Sequence, residues 1–165
     1  MHPNSVDQMR RLITTYLKQD AMLSILDVGS FDVNGTYKPL FDTPGWKYTG
    51  ADIVPGRNVD LVLAPEHGWG AMPEVEDMFD VVVSGQVMEH VLNPFKFAAD
   101  IGRACKVGGT CLVLAPWQAA EHKHPIDCWR ILPDGMRHVM EAAGYFETLE
   151  CITSATDTVY AGRKK

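Results

Sequence analysis

The segment from Ser24 to Ser30 constrains this chain more than any other, because a short apolar run ends there in an acid, a glycine and a serine. Continuous apolar runs of this length are typical of strands buried on both faces of a parallel sheet. A glycine directly after such a strand lets the backbone approach a nucleotide-like ligand at the carboxyl edge of the sheet. The segment therefore predicts an α/β fold with a cofactor pocket near Gly29.

Strand and helix patterns alternate along the rest of the chain, which predicts a mostly parallel sheet covered by helices on both faces. An opening helix is expected over residues 5–19, with Ser5 as N-cap and Gln8 completing a capping box. The expected strands are 24–29, 46–53, 59–63, 79–84, 110–115, 146–153 and 157–163, and further helices are expected at 86–92, 93–106 and 133–143. The segment 66–78 is expected to be a loop or a short helix. Only three residues join the last two strands, so these strands are predicted to form an antiparallel hairpin.

Composition narrows the class of protein. The 165 residues suit a single domain spanning 1–165, and the net charge of −6 gives no general attraction to nucleic acid or anionic lipid. No apolar run approaches the roughly 18 residues of a membrane span, and no export signal opens the chain. The four cysteines form no Cys-x-x-Cys pair, which favours reduced thiols in the cytoplasm. We therefore expect a cytoplasmic protein without nucleic-acid or membrane partners.

Two acids at predicted strand ends suggest what the pocket binds. Asp27 would repel a pyrophosphate but suits a ligand with an ammonium group. Asp52 ends the second predicted strand, where a carboxylate can accept hydrogen bonds from both hydroxyls of a ribose. An ammonium at one end and a ribose near the other describe S-adenosylmethionine better than NAD.

Four sequence matches, found in the expected order along the chain, give it a family resemblance. Ile25–Ser30 resembles the first motif of class I S-adenosylmethionine-dependent methyltransferases, and Asp52 resembles their ribose-binding acid. Phe79–Ser84, continued by Val87–Val91, resembles their fourth-strand motif, and Lys106–Thr110 resembles the turn before their fifth strand. The resemblance covers nearly the whole chain. It implies a Rossmann-like three-layer sandwich with a seven-stranded sheet, and S-adenosylmethionine as cofactor.

The resemblance also assigns cofactor-binding positions, which are Asp27, Gly29, Ser30, Gly35, Asp52, Ile53, Ser84, Gly85 and Gln86. Where the family's first motif continues with Gly-x-Gly, this chain has Phe31 and Val33, which predicts a differently shaped turn. Leu63-Ala64-Pro65 stands where the family often has an acid near the adenine. The base is therefore expected to be held by backbone groups and apolar contact.

The segment from Trp117 to Arg130 follows the fifth predicted strand and should cover the same edge of the sheet. A hydroxyl acceptor needs a base, and His124 or His122 could supply it, with Asp127 orienting the imidazole. Trp117, Trp129 and Arg130 are candidates for acceptor binding. Residues 124–135 resemble a run in small bacterial methyltransferases linked to surface-glycan synthesis. The resemblance implies a small-molecule or glycan-related acceptor with an oxygen or nitrogen nucleophile.

Structural alternatives stand beside these assignments. The histidines could line the pocket without acting as bases, the two tryptophans could brace the loop, and Arg130 could pair with Asp134. Glu89 and His90 are expected to be structural or solvent-facing. The spacing of His122, His124 and Cys128 fits no usual zinc pattern, so no metal is predicted. The alternative functions are a non-catalytic binding module and an NAD-dependent oxidoreductase, and a homodimer that completes the pocket stays open.

Overall fold

A computed structural model describes residues 3–63 and 75–165, and it places seven strands in one sheet. In chain order the described elements are α1 (Pro3–Tyr16), β1 (Leu23–Val28), a 3₁₀ turn (Lys38–Phe41), β2 (Trp46–Asp52), β3 (Leu61–Val62), β4 (Phe79–Gly85), a 3₁₀ turn (Met88–His90), α2 (Pro94–Ala104), β5 (Cys105–Pro116), α3 (Pro133–Ala142), β6 (Phe146–Thr153) and β7 (Asp157–Lys164).

The sheet has the strand order β3-β2-β1-β4-β5-β7-β6. Strands β1 to β5 run parallel, whereas β7 is antiparallel to both β5 and β6. The chain moves outward from β1 to β3 and then returns to place β4 on the other side of β1. This reversal opens a crevice at the carboxyl ends of β1 and β4, where open α/β sheets bind ligands. The predicted Rossmann-like sheet and its final antiparallel hairpin are confirmed.

Alternate residues of the central strands pack on opposite faces of the sheet, as the two-residue period of a strand requires. On one face α1 packs against a cluster that includes Ile25 and Val83. On the other face α2 and α3 cover a cluster that includes Leu26 and Val82. Both faces are thus covered by helices, which explains why β1 and β4 read as continuous apolar runs.

The opening helix differs from its prediction. It begins at Pro3, so Ser5 lies inside it rather than capping it. Ser5 is fully buried, and its hydroxyl oxygen lies 2.5 Å from the hydroxyl oxygen of Tyr37. The serine therefore joins the helix to the loop after β1 instead of satisfying the helix N-terminus.

Two later boundaries also differ. The segment 86–92 forms only the 3₁₀ turn Met88–His90, and Gln86, two residues before that turn, has a φ of +62°, which a right-handed helix does not allow. α2 ends at Ala104, and the Gly108-Gly109 turn lies within the irregular start of β5 rather than before that strand. The predicted cap of α2 is present, since Asn93 Oδ1 accepts from the backbone N–H of Lys96 at 3.0 Å.

The predictions for Ala64 and Pro65, and most of the predicted 66–78 loop, lie outside the described residues. Within the described ranges, the helices lack the length and apolar character needed to cross a bilayer.

Candidate active site

A cavity of about 740 Å³ opens at the carboxyl ends of β1, β2 and β4. Its far wall comes from the loop after β5, through residues 122–125. Eight of the nine predicted cofactor positions line it, namely Asp27, Gly29, Ser30, Gly35, Asp52, Ile53, Gly85 and Gln86. The ninth, Ser84, is turned away from the described lining, and its buried hydroxyl donates to the carbonyl of Val28 at 2.8 Å. Ser84 thus joins β4 to β1 instead of forming the cavity floor.

Asp27 supplies a buried carboxylate to the cavity. Its side chain is 2% exposed, and Oδ2 accepts a hydrogen bond of 2.6 Å from the hydroxyl of Tyr48. Burial raises the pKa of Asp27 to about 7; the Tyr48 hydrogen bond lowers it, and the nearby charge of Asp52 raises it further. A cationic ligand group beside this carboxylate would favour its ionised form.

Asp52 lies at the end of β2, where its carboxylate organises two neighbouring segments. Oδ2 accepts from the backbone N–H of Phe31 and Oδ1 from that of Val54, each at 3.1 Å. Each carboxylate oxygen has a second lone pair, so both can still accept from ligand hydroxyls. The geometry therefore fixes Asp52 in place and leaves it able to bind a diol.

The turn after β1 depends on Gly29, which has a φ of +85°. A Cβ at this position would lie 2.0 Å from Cγ2 of Val87. The backbone N–H groups of Gly29 and Ser30 both donate to the carbonyl of Ala51, at 2.8 and 3.1 Å. Because these donors are occupied, the turn does not offer them to a pyrophosphate as a dinucleotide-binding turn would.

The loop beyond that turn is shaped by side-chain contacts. Asp32 Oδ1 accepts from the backbone N–H of Gly35 at 2.9 Å, and Asp32 also pairs with Arg57 at 2.8 Å. The ring of Phe31 packs so closely on Gly56 that a Cβ there would lie 2.3 Å from Cε2. The predicted departure from the usual first loop therefore has a structural basis in Phe31 and Asp32.

Three imidazoles line the opposite side of the cavity. The ring of His90 makes edge contacts with His122 at 5.0 Å and with His124 at 5.9 Å between centroids. Glu89, next to them, is fully buried, and burial raises the pKa of its carboxyl group to about 8. Burial also lowers the pKa of His90, which favours a neutral imidazole. The predicted bases His122 and His124 are thus brought together with two residues expected to be structural.

The other predicted loop residues lie outside the cavity lining and brace the loop. Asp127 receives a two-pronged ion pair from Arg130, at 2.6 and 2.7 Å, and this guanidinium holds the pKa of Asp127 well below its usual value. Arg130 therefore pairs with Asp127 and not with Asp134. The indole N–H of Trp117 donates to the carbonyl of Ser154, and that of Trp129 donates to the carbonyl of Val91.

Asp127 also does not orient the imidazole of His122 directly. Its Oδ2 accepts from the backbone N–H of His122 at 2.7 Å, whereas the ring Nδ1 of His122 lies 3.6 Å from that oxygen. The ring Nδ1 instead lies 3.0 Å from the carbonyl of Ala120. Asp127 therefore positions the backbone of the loop, and a carbonyl positions the ring.

Tyr48, which hydrogen bonds to Asp27, is not named in the sequence analysis, which also does not place Glu89 and His90 in the site. Tyr48 lies four residues before Asp52 in β2, so strand alternation puts both side chains on one face, and this signal could have identified it. Glu89 and His90 carry no such signal, because their partners come from a loop more than 30 residues away.

Comparisons with known proteins agree with this geometry. A family model described as a methyltransferase domain matches residues 26–113, just over half of the chain. No curated protein matches the chain in sequence.

Solved structures with the same fold include several methyltransferases. An S-adenosylmethionine-dependent methyltransferase from Aquifex aeolicus is 14% identical, with a TM-score of 0.70, and the match covers 99% of this chain and 94% of the Aquifex chain. The 1,6-didemethyltoxoflavin-N1-methyltransferase of Burkholderia thailandensis, with 1,6-didemethyltoxoflavin and S-adenosylhomocysteine bound, is 14% identical, with a TM-score of 0.74. That match covers 98% of this chain and 78% of the Burkholderia chain. The N-terminal domain of EvdMO1, in the presence of S-adenosylhomocysteine and D-fucose, is 19% identical, with a TM-score of 0.66, and the match covers 99% of this chain and 84% of the EvdMO1 chain.

Proposed function

The chain belongs to the family of class I S-adenosylmethionine-dependent methyltransferases, and on that premise we propose that it methylates a small-molecule or glycan-related acceptor at oxygen or nitrogen. Its cofactor is S-adenosylmethionine. One observation carries the proposal: a single cavity has two buried carboxylates at one side and three imidazoles at the other. The cavity can thus hold a cationic nucleoside ligand and a nucleophile next to each other.

The carboxylate side fits the cofactor by the chemistry of its groups. Asp27 would hold the ammonium of the methionine end, since a cation favours the ionised form of this buried carboxyl. Asp52 would accept from the ribose hydroxyls through the lone pairs that its backbone contacts leave free. The sulfonium of the bound cofactor supplies an electrophilic methyl group. The residues of this chain need only align an acceptor with it and accept a proton.

We assign the proton-accepting role to His124. Its imidazole lies in the cavity wall beside His90 and His122 and is exposed, so an acceptor could reach it. The unprotonated nitrogen of a neutral imidazole can accept a proton, and histidine is the side chain that most often acts as a general base. His122 is the alternative base, since its Nδ1 hydrogen bonds to a carbonyl and leaves Nε2 as a proton acceptor.

The acceptor class rests on the shape and chemistry of the site. Two of the similar structures described above support a compound of small size, since one has 1,6-didemethyltoxoflavin bound and the other was determined in the presence of D-fucose. A single catalytic domain over 1–165 is supported by the seven strands, which form one sheet, and by the cavity, which is lined by segments from residue 27 to residue 125. The acidic composition gives no reason to expect nucleic acid or membrane partners. The free thiols of all four cysteines are compatible with a cytoplasmic location.

The alternative of a homodimer that covers the acceptor side is tested by measuring the molecular mass of the protein in solution.

Calorimetric titration tests the cofactor half of the proposal. S-adenosylmethionine and S-adenosylhomocysteine should each bind with one site per chain, and NAD should bind far more weakly because the first turn offers no free N–H groups to a pyrophosphate. Methyl transfer is then followed as release of S-adenosylhomocysteine across a panel of sugars, nucleotide sugars and small heteroaromatic compounds. A folded protein that binds neither sulfur ligand, or binds NAD better, would contradict the assignment.

Asp52→Ala should weaken S-adenosylhomocysteine at least tenfold, about 1.4 kcal/mol, because the ribose hydroxyls lose their acceptor. The measurement is calorimetric titration at neutral pH, with thermal unfolding recorded to show that the variant is folded. Asp20→Ala, an exposed acid distant from the cavity, is the matched control and should bind like the unaltered chain. Equal affinity in Asp52→Ala and the control would remove Asp52 from the site.

His124→Ala should lower turnover of an identified hydroxyl acceptor by roughly 10²–10⁴-fold, the usual contribution of a general base. Binding of S-adenosylhomocysteine should be unchanged, since His124 lies on the acceptor side. His138→Ala is the control, because that exposed histidine contacts Phe95 rather than the cavity. Full turnover by His124→Ala would move the role to His122 or show that the nucleophile needs no base.

A further inference from the structure

Glu89 is a fully buried acid beside the cavity. Its side chain is 0% exposed, and neither carboxylate oxygen has a hydrogen-bond partner among residues 3–63 and 75–165. A buried carboxylate without partners is costly, and folded proteins normally pair such a group with donors or with a metal ion. The backbone around it is well fixed, because the carbonyl of Glu89 accepts from the N–H groups of Cys128 at 2.7 Å and Trp129 at 3.3 Å.

Two histidines face this carboxylate in the orientation that metal ligands adopt. The ring Nδ1 of His90 lies 2.6 Å from the carbonyl of Ile126, and the ring Nδ1 of His122 lies 3.0 Å from the carbonyl of Ala120. A carbonyl can only accept, so each Nδ1 carries the proton and each Nε2 of the neutral ring has a free lone pair. Outer N–H groups bonded to carbonyls are the usual second shell of metal-binding histidines.

The separations between these groups suit a shared ion better than direct hydrogen bonds. Nε2 of His90 lies 3.6 Å from Glu89 Oε1, and Nε2 of His122 lies 3.8 Å from the same oxygen. Both distances exceed hydrogen-bond length. In a tetrahedral site with ligands at 2.0–2.1 Å, neighbouring ligand atoms are ~3.3 Å apart, so shifts of a few tenths of an ångström would close the site. One potential ligand atom from each of the three residues lies within 4.8 Å of the others.

We propose that Glu89, His90 and His122 bind one divalent transition-metal ion at the acceptor side of the cavity. Two imidazoles with one carboxylate suit Zn²⁺ or a neighbouring first-row ion, whereas Mg²⁺ and Ca²⁺ prefer all-oxygen sites. Three protein ligands leave at least one position open, which is the arrangement of catalytic rather than structural zinc.

The open position gives the ion a use in the proposed reaction, and this part rests on the proposed function. His90 and His122 both line the cavity, so the ion would lie within reach of an acceptor oxygen. Coordination lowers the pKa of a bound hydroxyl and fixes its position, which would ease proton transfer to His124. The acceptor class is then narrowed to compounds with a metal-binding oxygen, such as a sugar hydroxyl or an enol.

The sequence gives little hint of this site. Glu89 and His90 are adjacent, and His122 follows 32 positions later, which matches no common zinc-ligand spacing. The fold brings them together because the 3₁₀ turn Met88–His90 and the loop after β5 both lie near the carboxyl end of β4. The sequence-based expectation of no metal rests on His122, His124 and Cys128, whereas the proposed site combines His122 with Glu89 and His90.

Metal titration of the chelator-treated protein tests the proposal. Zn²⁺ is titrated calorimetrically, and Co²⁺ is followed by its visible absorption, which reports coordination geometry. We expect one ion per chain, and at least a tenfold loss of affinity in Glu89→Gln and in His122→Gln. His138→Gln removes a histidine elsewhere and should bind like the unaltered chain. No binding to the unaltered chain, or equal affinity in all variants, would overturn the site.

One further titration separates failure of the metal site from failure of the proposed function. S-adenosylhomocysteine is titrated into the same metal-free samples, so a chain that binds the nucleoside but no metal fails only this inference. A chain that binds one Zn²⁺ but no S-adenosylhomocysteine fails only the cofactor assignment. If Glu89→Gln does not fold, His122→Gln alone tests the metal site. The His122 side chain is 37% exposed on the loop, so its replacement opens no core cavity.

Discussion

Gly29→Ala should destabilise the protein by about 3 kcal/mol and abolish measurable binding of S-adenosylhomocysteine. A residue with a side chain pays about 1–2 kcal/mol to adopt the left-handed backbone that Gly29 holds at φ +85°. The new methyl group would also lie 2.0 Å from Cγ2 of Val87, which is 4% exposed. Valine is stiff at χ1, so it can move only with its backbone, and overpacking of this kind costs about 1–3 kcal/mol.

Binding should fail because both partners of this clash line the cavity. Whichever of Gly29 and Val87 shifts, the wall that faces the ligand moves with it. The loss is measured by urea unfolding and by calorimetric titration of S-adenosylhomocysteine.

Gly144→Ala is the matched control, because it measures the cost of the left-handed backbone conformation without a steric clash. Its φ is +81°, and open space surrounds the position that its Cβ would take, as far as the described residues show. It should therefore cost only about 1–2 kcal/mol and leave binding intact. Adding Val87→Ala to Gly29→Ala should recover part of the lost stability, which isolates the steric contact. Equal losses for Gly29→Ala and Gly144→Ala would mean that Val87 yields easily and that the turn is not tightly packed.

The sheet was predictable because burial on both faces leaves its mark on every residue of a strand. Ile25-Leu26 and Val81–Val83 are uninterrupted apolar runs, since α1 covers one face of the sheet and α2 and α3 cover the other. The short joint between β6 and β7 left only an antiparallel pairing. The two acids at the ends of β1 and β2 were predictable for the same reason, because parallel strands bring their carboxyl ends to one edge.

The acceptor side was less predictable because its geometry depends on partners that are distant in the sequence. Trp117 and Trp129 each have a polar atom that must be satisfied, and the acceptors turn out to be carbonyls of Ser154 and Val91. Arg130 could have faced an anionic acceptor, but the carboxylate of Asp127 three residues away is held at 2.6 Å. Sequence alone offers no measure of which of these competing contacts forms.

Ser84 shows how a side-chain prediction can fail inside a correct strand. The family resemblance places the end of β4 at the cavity floor, and Gly85 and Gln86 do line it. The Ser84 hydroxyl instead donates to the carbonyl of Val28 on the neighbouring strand β1. The motif therefore indicated the edge of the sheet where the cavity lies, whereas the hydrogen bond between β4 and β1 determines where the Ser84 side chain points.

Asp27→Asn should make the ligand-free protein more stable at pH 8, by on the order of 4 kcal/mol, while leaving its stability near pH 4 almost unchanged. The folded chain holds the pKa of Asp27 at about 7, against an ordinary value of 3.8, because the group is buried. Between these two values the unfolded chain is ionised and the folded chain protonated, so unfolding releases a proton and stability falls as pH rises. Above about pH 7 the loss is complete and stays constant. Asparagine keeps an acceptor for the Tyr48 hydroxyl and has no charge to bury.

The same substitution should weaken S-adenosylhomocysteine at least tenfold, because the ammonium of its amino-acid end loses a buried counter-charge. Stability is measured by urea unfolding at pH 4 and pH 8, and Asp20→Asn serves as the exposed control. Titrating the unaltered chain at pH 6 in two buffers of different ionisation enthalpy should show a proton released on binding, since the ligand's cation draws Asp27 into its ionised form. That release should vanish in Asp27→Asn. A variant that is less stable at pH 8 and binds with full affinity would mean that Asp27 supports the turn through Tyr48 alone. If Asp27→Asn is more stable at pH 8 and also binds S-adenosylhomocysteine more weakly, the buried carboxylate of Asp27 serves ligand binding at the expense of stability.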